Sequence, residues 1–269
     1  MPEGHVIHRL ANRYRAEFAG RPTAVSSPQG RFAASAERLD GLELLGAEAH
    51  GKQLFMEFEG AQWIRIHLGI YGKVEFGPAP APAPRGVIRL RLETEAGYSD
   101  LRGPAACELI DSSEKAAAHA RLGPDPLRAD ADPDRAWRTV SASGRDIGSL
   151  LMDQAVVSGV GNIYRAEVLF RHGIDPRRPG RSIAKSEWDD IWLDLAELMA
   201  DGVKLGRIDT VRADHTPEAM GREPRVDAHG GEVYVYRRDG KPCLICGTEV
   251  ALAKRQGRNL FWCPSCQAA

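Results

Sequence analysis

The 269-residue chain predicts a multidomain α+β protein: a β-rich segment led by one helix, then a helical segment, then a small cysteine-bearing β module. Three observations carry this. After an opening helical pattern, apolar residues recur at the spacing of short strands punctuated by Gly-rich turns. From about Ser113 the pattern returns to helical spacing. Four of the five cysteines then crowd the carboxy-terminal stretch in paired Cys-x2-Cys spacing. The boundaries expected from these changes are 1–112, 113–224 and 225–269, with a cleft between the first two parts.

In chain order, Val6, Ile7, Leu10, Tyr14 and Phe18 define one buried face of the opening helix. LELLGAEAHGKQLFMEFEG, AQWIRIHLGIYGKVEF, GVIRLRLETEAGYSDLR and CELID read as strands separated by glycine turns. GPAPAPAPRG between two of them is a stiff exposed connector. EKAAAHARLG, DPDRAWRTV, IGSLLMDQAV, VGNIYRAEVLFRHG and SEWDDIWLDLAELMADGV read as helices. DHTPEAMGREPRVDAHGGE is a loop, and VYVYRRDGKPCLICG onward reads as a small β module.

Composition narrows the function classes. A hydrophobic content of 43% supports real cores and excludes disorder. No apolar run approaches the roughly 18 residues of a membrane span, and MPEGHVIHRL moves straight into a helical pattern with no secretory signal. A cytoplasmic, bacterial setting with no membrane partner is expected. The net charge of −1 advertises no global nucleic-acid affinity, so any basic surface must be local.

Cys243, Cys246, Cys263 and Cys266 form two Cys-x2-Cys pairs whose spacer is long enough for a hairpin. Four thiolates in a closed tetrahedron are a structural Zn²⁺ site with no open position for catalysis. Iron in the same cage is the alternative. So few apolar residues predict a hairpin held up by its metal. KRQGRNLFW places Lys254, Arg255 and Arg258 around a glycine turn, the electrostatic footprint of a phosphate partner. A second anion signal is SGVGN, where paired glycines precede a helix opened by Asn162. The arginines that follow (165, 171, 177, 178 and 181) read as part of a phosphate grip. At the start of the chain, Pro2 and Glu3 admit two readings. Proline is an ordinary helix-start residue, and, once Met1 is trimmed, it also carries a free secondary amine.

Together, PEG, the GK of HGKQLF, HLGIYG, LGPDPL, DQ…GVGNIY…E and GRNLFWCPSCQ resemble, in order and across nearly the whole chain, the formamidopyrimidine-DNA glycosylase/endonuclease VIII family. The resemblance implies an amino-terminal antiparallel β-sandwich with a leading helix, a helix–two-turn–helix domain and a zinc-finger hairpin. It implies a bifunctional glycosylase and abasic-site lyase of base-excision repair acting on damaged DNA, duplex or single-stranded, as a monomer with one structural zinc. Under it, Pro2 is the nucleophile and Glu3 the general acid at the sugar. Lys52 gives a proton during β-elimination, and Arg258 serves δ-elimination and phosphate binding. Asn162 contacts the DNA backbone.

The chain departs from the formamidopyrimidine branch at LRGPAAC, where no aromatic follows Arg102. HLGIYG instead offers Ile70 and Tyr71 as DNA-inserting residues, closer to the endonuclease VIII branch; the other reading of these two is strand core. His5 and His8 read as structural or peripheral. A non-catalytic zinc-hairpin DNA-binding protein leaves Pro2, Glu3 and Lys52 without purpose, and an amino-terminal-proline tautomerase leaves the hairpin and the helical turn unexplained.

Overall fold

The computed structural model describes residues 2–227 and 231–268; Met1 and residues 228–230 of the expected loop lie outside the described residues. The chain divides into two compact units, one ending at Arg121 and the other beginning at Leu122.

The first unit opens with α1 (Gly4–Glu17) and continues through β1 (Arg21–Pro22), β2 (Ala24–Ser26), α2 (Ala33–Leu39), β3 (Glu43–His50), β4 (Gln53–Phe58), β5 (Gln62–His67), β6 (Lys73–Pro78), β7 (Leu90–Thr94), β8 (Gly97–Arg102), β9 (Ala106–Asp111) and α3 (Ser112–Ala120). Two antiparallel sheets form, ordered β1-β3-β4-β5-β9 and β2-β7-β8-β6. Alternation does the sorting: Leu54, Met56 and Phe58 face the shared core with Leu90, Leu92 and Leu101 of the other sheet. Ile7 and Tyr14 of α1 and Phe18 just after it complete that core as their spacing predicts, Ala11 joins them, and Val6 and Leu10 are only partly buried against it. The opposite face of the first sheet carries Phe55 and Trp63, covered by Ala118 of α3. An Asp111–Glu114 capping box starts α3.

The second unit contains α4 (Pro133–Ser141), α5 (Ile147–Met152), α6 (Asn162–Arg171), α7 (Lys185–Leu205), α8 (Pro217–Met220), β10 (Ala251–Arg255) and β11 (Arg258–Trp262). Residues 162–170 of α6 are all buried, which makes it the central helix. Phe261, Val250, Cys243 and Cys263 share one core with Val168, Trp188 and Leu195. The hairpin therefore belongs to the helical core, and packing supports it together with its metal. Among the described residues, no helix is long and apolar enough to cross a membrane.

Within this unit the sequence reading needs two corrections. VYVY is no strand, because its main chain is used elsewhere. The buried Glu167 carboxylate of α6 accepts hydrogen bonds from the amides of Tyr234 (2.6 Å), Val235 (2.9 Å) and Tyr236 (2.8 Å). It also accepts from the Thr210 hydroxyl at 2.6 Å. Of the arginines read as a phosphate grip, three are held by carboxylates. Arg171 is bidentate to Asp194, Arg177 pairs with Asp175, and Arg178 pairs with Glu187.

Four donors converging on one buried carboxylate leave no room for a neutral substitute. An amide retains one acceptor oxygen and turns an NH2 toward at least one main-chain N–H that can only donate. Glu167→Gln should cost about 2–4 kcal/mol, read as a lower denaturant midpoint; an unchanged midpoint would show that the carboxylate anchors nothing.

Candidate active site and metal centre

Register gathers the first unit's candidate residues at one end of the five-stranded sheet. Gly51 and Lys52 form the two-residue turn between β3 and β4, closed by the His50–Gln53 pair. Gly51 has φ +58°, the conformation that a II′-type hairpin needs at its first position, so the glycine is what places Lys52 at the tip. Gln53 in turn pairs with His67 on β5, and His67 pairs with Ala106 on β9. The Lys52 turn, the segment after His67 and the segment before Ala106 therefore lie side by side. His67 Nδ1 donates to the Lys52 carbonyl at 3.0 Å, fixing the turn.

The opening helix brings Pro2 and Glu3 to the same end. The Gly20 amide donates to the Leu44 carbonyl at 2.8 Å, and Arg15 Nη1 donates to the Ala47 carbonyl at 2.6 Å. Helix α1 therefore runs antiparallel to β3. From Arg15 back to Glu3 is about 18 Å of helix, and from Ala47 on to Gly51 is about 13 Å of strand. Glu3 is fully buried in extended conformation just before the helix, and Pro2 is half-buried beside it.

Ile70 and Tyr71 are not strand core: they are 61% and 86% exposed. They cap a tight turn in which the Gly72 amide donates to the Leu68 carbonyl at 3.0 Å. A side chain at Gly72 would meet that carbonyl at 2.3 Å, and one at Gly69 (φ +66°) would meet Ala105 Cβ at 2.8 Å. The two loops singled out from the sequence thus abut, with Gly103 and Ala105 serving as the small floor beneath Ile70 and Tyr71.

His5, on the first turn of α1, is buried. Burial, reinforced by the amino-terminal charge, Arg9 and His8, lowers its pKa to about 4. The ring is a neutral packing element, as the structural reading expected.

In the second unit, the turn between α5 and α6 is built by its own sequence. Gln154 Nε2 donates to the carbonyls of Met152 (3.1 Å) and Val160 (3.0 Å), while its Oε1 accepts from the Gly159 amide at 3.0 Å. Helix α6 follows with Gly161 at its cap and no side-chain cap, so Asn162 stands at the start of the helix. Arg165, one turn later, donates through Nη2 to Asn162 Oδ1 and to the Asn259 carbonyl of the hairpin, the latter at 2.8 Å. Gln256 and Gly257, both at positive φ, close that hairpin between Arg255 and Arg258. A cavity of about 240 Å³ lies here, lined by Arg145, Asp153, Arg165, Arg255, Gln256 and Arg258. The sequence marked Asn162 and Arg258 individually; the contacts of Gln154, Arg165 and Glu167 had no signal beyond their place in the motif.

The four cysteines converge as predicted, with all Sγ atoms within 4.8 Å of one another. The Cys243–Cys266 and Cys246–Cys263 separations are 3.9 and 3.4 Å. Both exceed the roughly 2.05 Å of a disulfide and bracket the edge of about 3.8 Å that a tetrahedron with zinc–sulfur bonds near 2.3 Å requires. Hydrogen bonds from Thr248 lower the pKa of the Cys246 thiol, while burial raises those of Cys263 and Cys266. Gln267 ties the site to the end of α6, accepting from the Cys263 amide at 2.9 Å and donating to the Ile174 carbonyl at 2.8 Å. The set is one closed, structural zinc site.

Comparison with known proteins agrees with this geometry. Residues 1–107 match the formamidopyrimidine-DNA glycosylase N-terminal domain, 122–213 the formamidopyrimidine-DNA glycosylase H2TH domain, and 240–269 the zinc finger found in FPG and IleRS. The chain belongs to the formamidopyrimidine-DNA glycosylase/endonuclease VIII family. Among its relatives, Endonuclease 8 1 of Mycobacterium tuberculosis is 49% identical, over 99% of this chain and 100% of its own length. The probable endonuclease 8 2 of Streptomyces coelicolor is 31% identical, over 100% and 94%. In fold, the chain is similar to Lactococcus lactis Fpg solved in complex with abasic-site DNA: TM-score 0.80, 23% identity, 99% of this chain and 100% of that one.

The buried His5 carries a pH dependence. The unfolded ring takes up a proton near 6.5 and the folded one resists until about 4, so stability is full above 6.5 and falls on acidification through that window. Between pH 7 and 5 the loss should be about 2 kcal/mol. His5→Asn should flatten that part of the melting-temperature profile; an unaltered acid slope would place the protonating group elsewhere.

Proposed function

We infer that this chain is a bifunctional DNA glycosylase and abasic-site lyase of base-excision repair. It acts through an amino-terminal proline Schiff base and cuts the strand by β,δ-elimination. The observation that carries the reading is the convergence of Pro2–Glu3, the Lys52 turn and the exposed Ile70–Tyr71 turn at one end of one sheet.

The chemistry follows from the residue types. With Met1 removed, Pro2 carries a free α-amine, a group that ordinarily titrates at about 8, so a usable fraction is neutral at cellular pH. Its lone pair attacks C1′ of the damaged nucleotide, and the base departs with the bonding electrons. Glu3, buried and adjacent, is the general acid at the sugar. The attacking nitrogen loses its proton to water. The C1′–O4′ bond of the sugar breaks as the ring oxygen takes up a proton, and the nitrogen lone pair closes the C=N bond. A secondary amine then has no proton left to lose, so the iminium stays cationic and withdraws electrons from C2′. Loss of the C2′ proton then expels the 3′ phosphate, with Lys52 at the turn giving a proton during this step. Arg258 serves the following δ-elimination, and Asn162 and Arg258 hold backbone phosphates by charge-assisted and amide hydrogen bonds. In this reading the unit ending at Arg121 is the catalytic part, which moves the boundary expected at 112 to the end of α3, and the unit beginning at Leu122 carries the helical DNA-binding part and the zinc finger.

Substrate range rests on the wedge. An enzyme that flips a nucleotide out of a duplex must fill the gap it leaves, and apolar side chains do so by replacing lost stacking. Ile70 and Tyr71 stand exposed on a glycine-pinned turn, while the neighbouring loop offers only Gly103, Pro104 and Ala105. With no second large side chain to read the opposite strand, the enzyme favours oxidised pyrimidines and bare abasic sites, in single strands as well as duplexes. It works as a monomer in the bacterial cytoplasm.

Matched oligonucleotides carrying thymine glycol, 5-hydroxyuracil, an abasic site or 8-oxoguanine opposite cytosine test this reading. Cleavage should be faster at the pyrimidine lesions and the abasic site than at 8-oxoguanine, and faster cutting at 8-oxoguanine would reverse the assignment. Gly69→Ala, strained by its positive φ and by Ala105, should slow excision from duplexes while sparing abasic sites in single strands. Equal effects on both would show that the turn is not a duplex wedge.

A further inference from the structure

We propose that Arg165 is a positioning residue that sets both the orientation of the Asn162 amide and its spacing from Arg258. The proposal rests on the reading of Asn162 and Arg258 as phosphate ligands and concerns what holds them ready.

Arg165 is 2% exposed, an unusual place for a guanidinium. Its Nη2 donates to two acceptors from elements far apart in sequence: Asn162 Oδ1 one turn earlier on α6, and the Asn259 carbonyl next to Arg258 on β11. Each contact fixes something different. A guanidinium has donors and no acceptor, so the Asn162 group facing it must be its oxygen. The Asn162 NH2 is thereby turned away from Arg165, left as a donor suited to a phosphate oxygen. The bond to the Asn259 carbonyl ties the first strand residues of β11 to α6, which holds Arg258 at a set distance from that NH2.

The surroundings favour an anion. The cavity that Arg165 lines also carries Arg145, Arg255 and Arg258. Asp153, the acidic residue in its lining, is paired with Arg145 at 2.9 Å. Like charges brought together before a ligand arrives repel one another, and a bound phosphate relieves that repulsion. Donors held in place before a ligand arrives lose less side-chain freedom on binding than donors that must find their positions.

The test uses the full-length, zinc-loaded chain and a duplex containing a non-cleavable tetrahydrofuran abasic analogue. Arg165→Met should weaken binding about tenfold, the loss of one or two hydrogen bonds to charged groups. The loss should fall on Kd and on the δ-elimination that Arg258 serves, and not on the rate of β-elimination at saturating abasic-site DNA. Arg165→Lys keeps the charge but cannot span both acceptors, so it should show the same loss; full rescue by lysine would mean that charge alone matters. In an Asn162→Ala, Arg258→Ala background, Arg165→Met should add nothing further, whereas an undiminished effect there would overturn the positioning role. Asn162→Asp supplies an independent reading that does not require Arg165 to be altered. It keeps the acceptor facing Arg165 and replaces the outward donor with a carboxylate oxygen, so it should bind more weakly than Asn162→Ala. Binding by Asn162→Asp at the unmodified chain's affinity would overturn the amide orientation. An unmodified chain that neither binds this duplex nor cuts its natural abasic-site counterpart would overturn the enzyme reading itself.

Discussion

The Glu167 carboxylate is the constraint on which the second unit depends. It sits on the central helix and takes three consecutive main-chain amides, from Tyr234 to Tyr236, together with the Thr210 hydroxyl. A carboxylate buried without donors costs several kcal/mol; satisfied by four, it holds an otherwise irregular segment against α6. That segment leads directly into Cys243, so the anchor decides where the zinc hairpin begins. Tyr234 then stacks on Phe170 at 4.7 Å, Tyr236 meets Phe261 edge to face at 5.3 Å, and Gln267 closes the far side on Ile174. Zinc, anchor and core all hold the hairpin to the helix that carries Asn162.

In the first unit the corresponding constraint is register. A one-residue slip in a strand exchanges its two faces. Here it would also move Lys52, the Ile70–Tyr71 turn and the Ala105 loop relative to one another. The aligned row Gln53, His67 and Ala106 fixes all three at once, and the antiparallel course of α1 brings the chain's start to the same place. Four segments far apart in sequence lie at one end of the sheet because its strands and a helix of matching length end together.

The cysteine pairs, the GK turn and the GVGN helix start were legible because each is a local pattern with a local cause: ligand spacing, a positive φ and an open helix terminus. Pairing was not legible. Arg171, Arg177 and Arg178 read as phosphate ligands because the sequence displays their charge and not Asp194, Asp175 and Glu187, which neutralise them. VYVY read as the start of the small β module; a distant carboxylate claims its amides instead. The strands β1 and β2, two and three residues long, are too short to show any period, and Arg165 gave no sign of its second partner 94 residues away. The family pattern supplied the roles of Pro2, Glu3 and Lys52, since nothing in a short helix start or a hairpin turn distinguishes chemistry from structure.

The central claim is that catalysis passes through an imine on the amino-terminal proline, and borohydride reduction during reaction with abasic-site DNA tests it most directly. Peptide mapping of the trapped adduct by mass spectrometry should place the DNA remnant on Pro2 in a chain lacking Met1. An adduct on Lys52, or efficient trapping by a chain that retains Met1, would contradict the account.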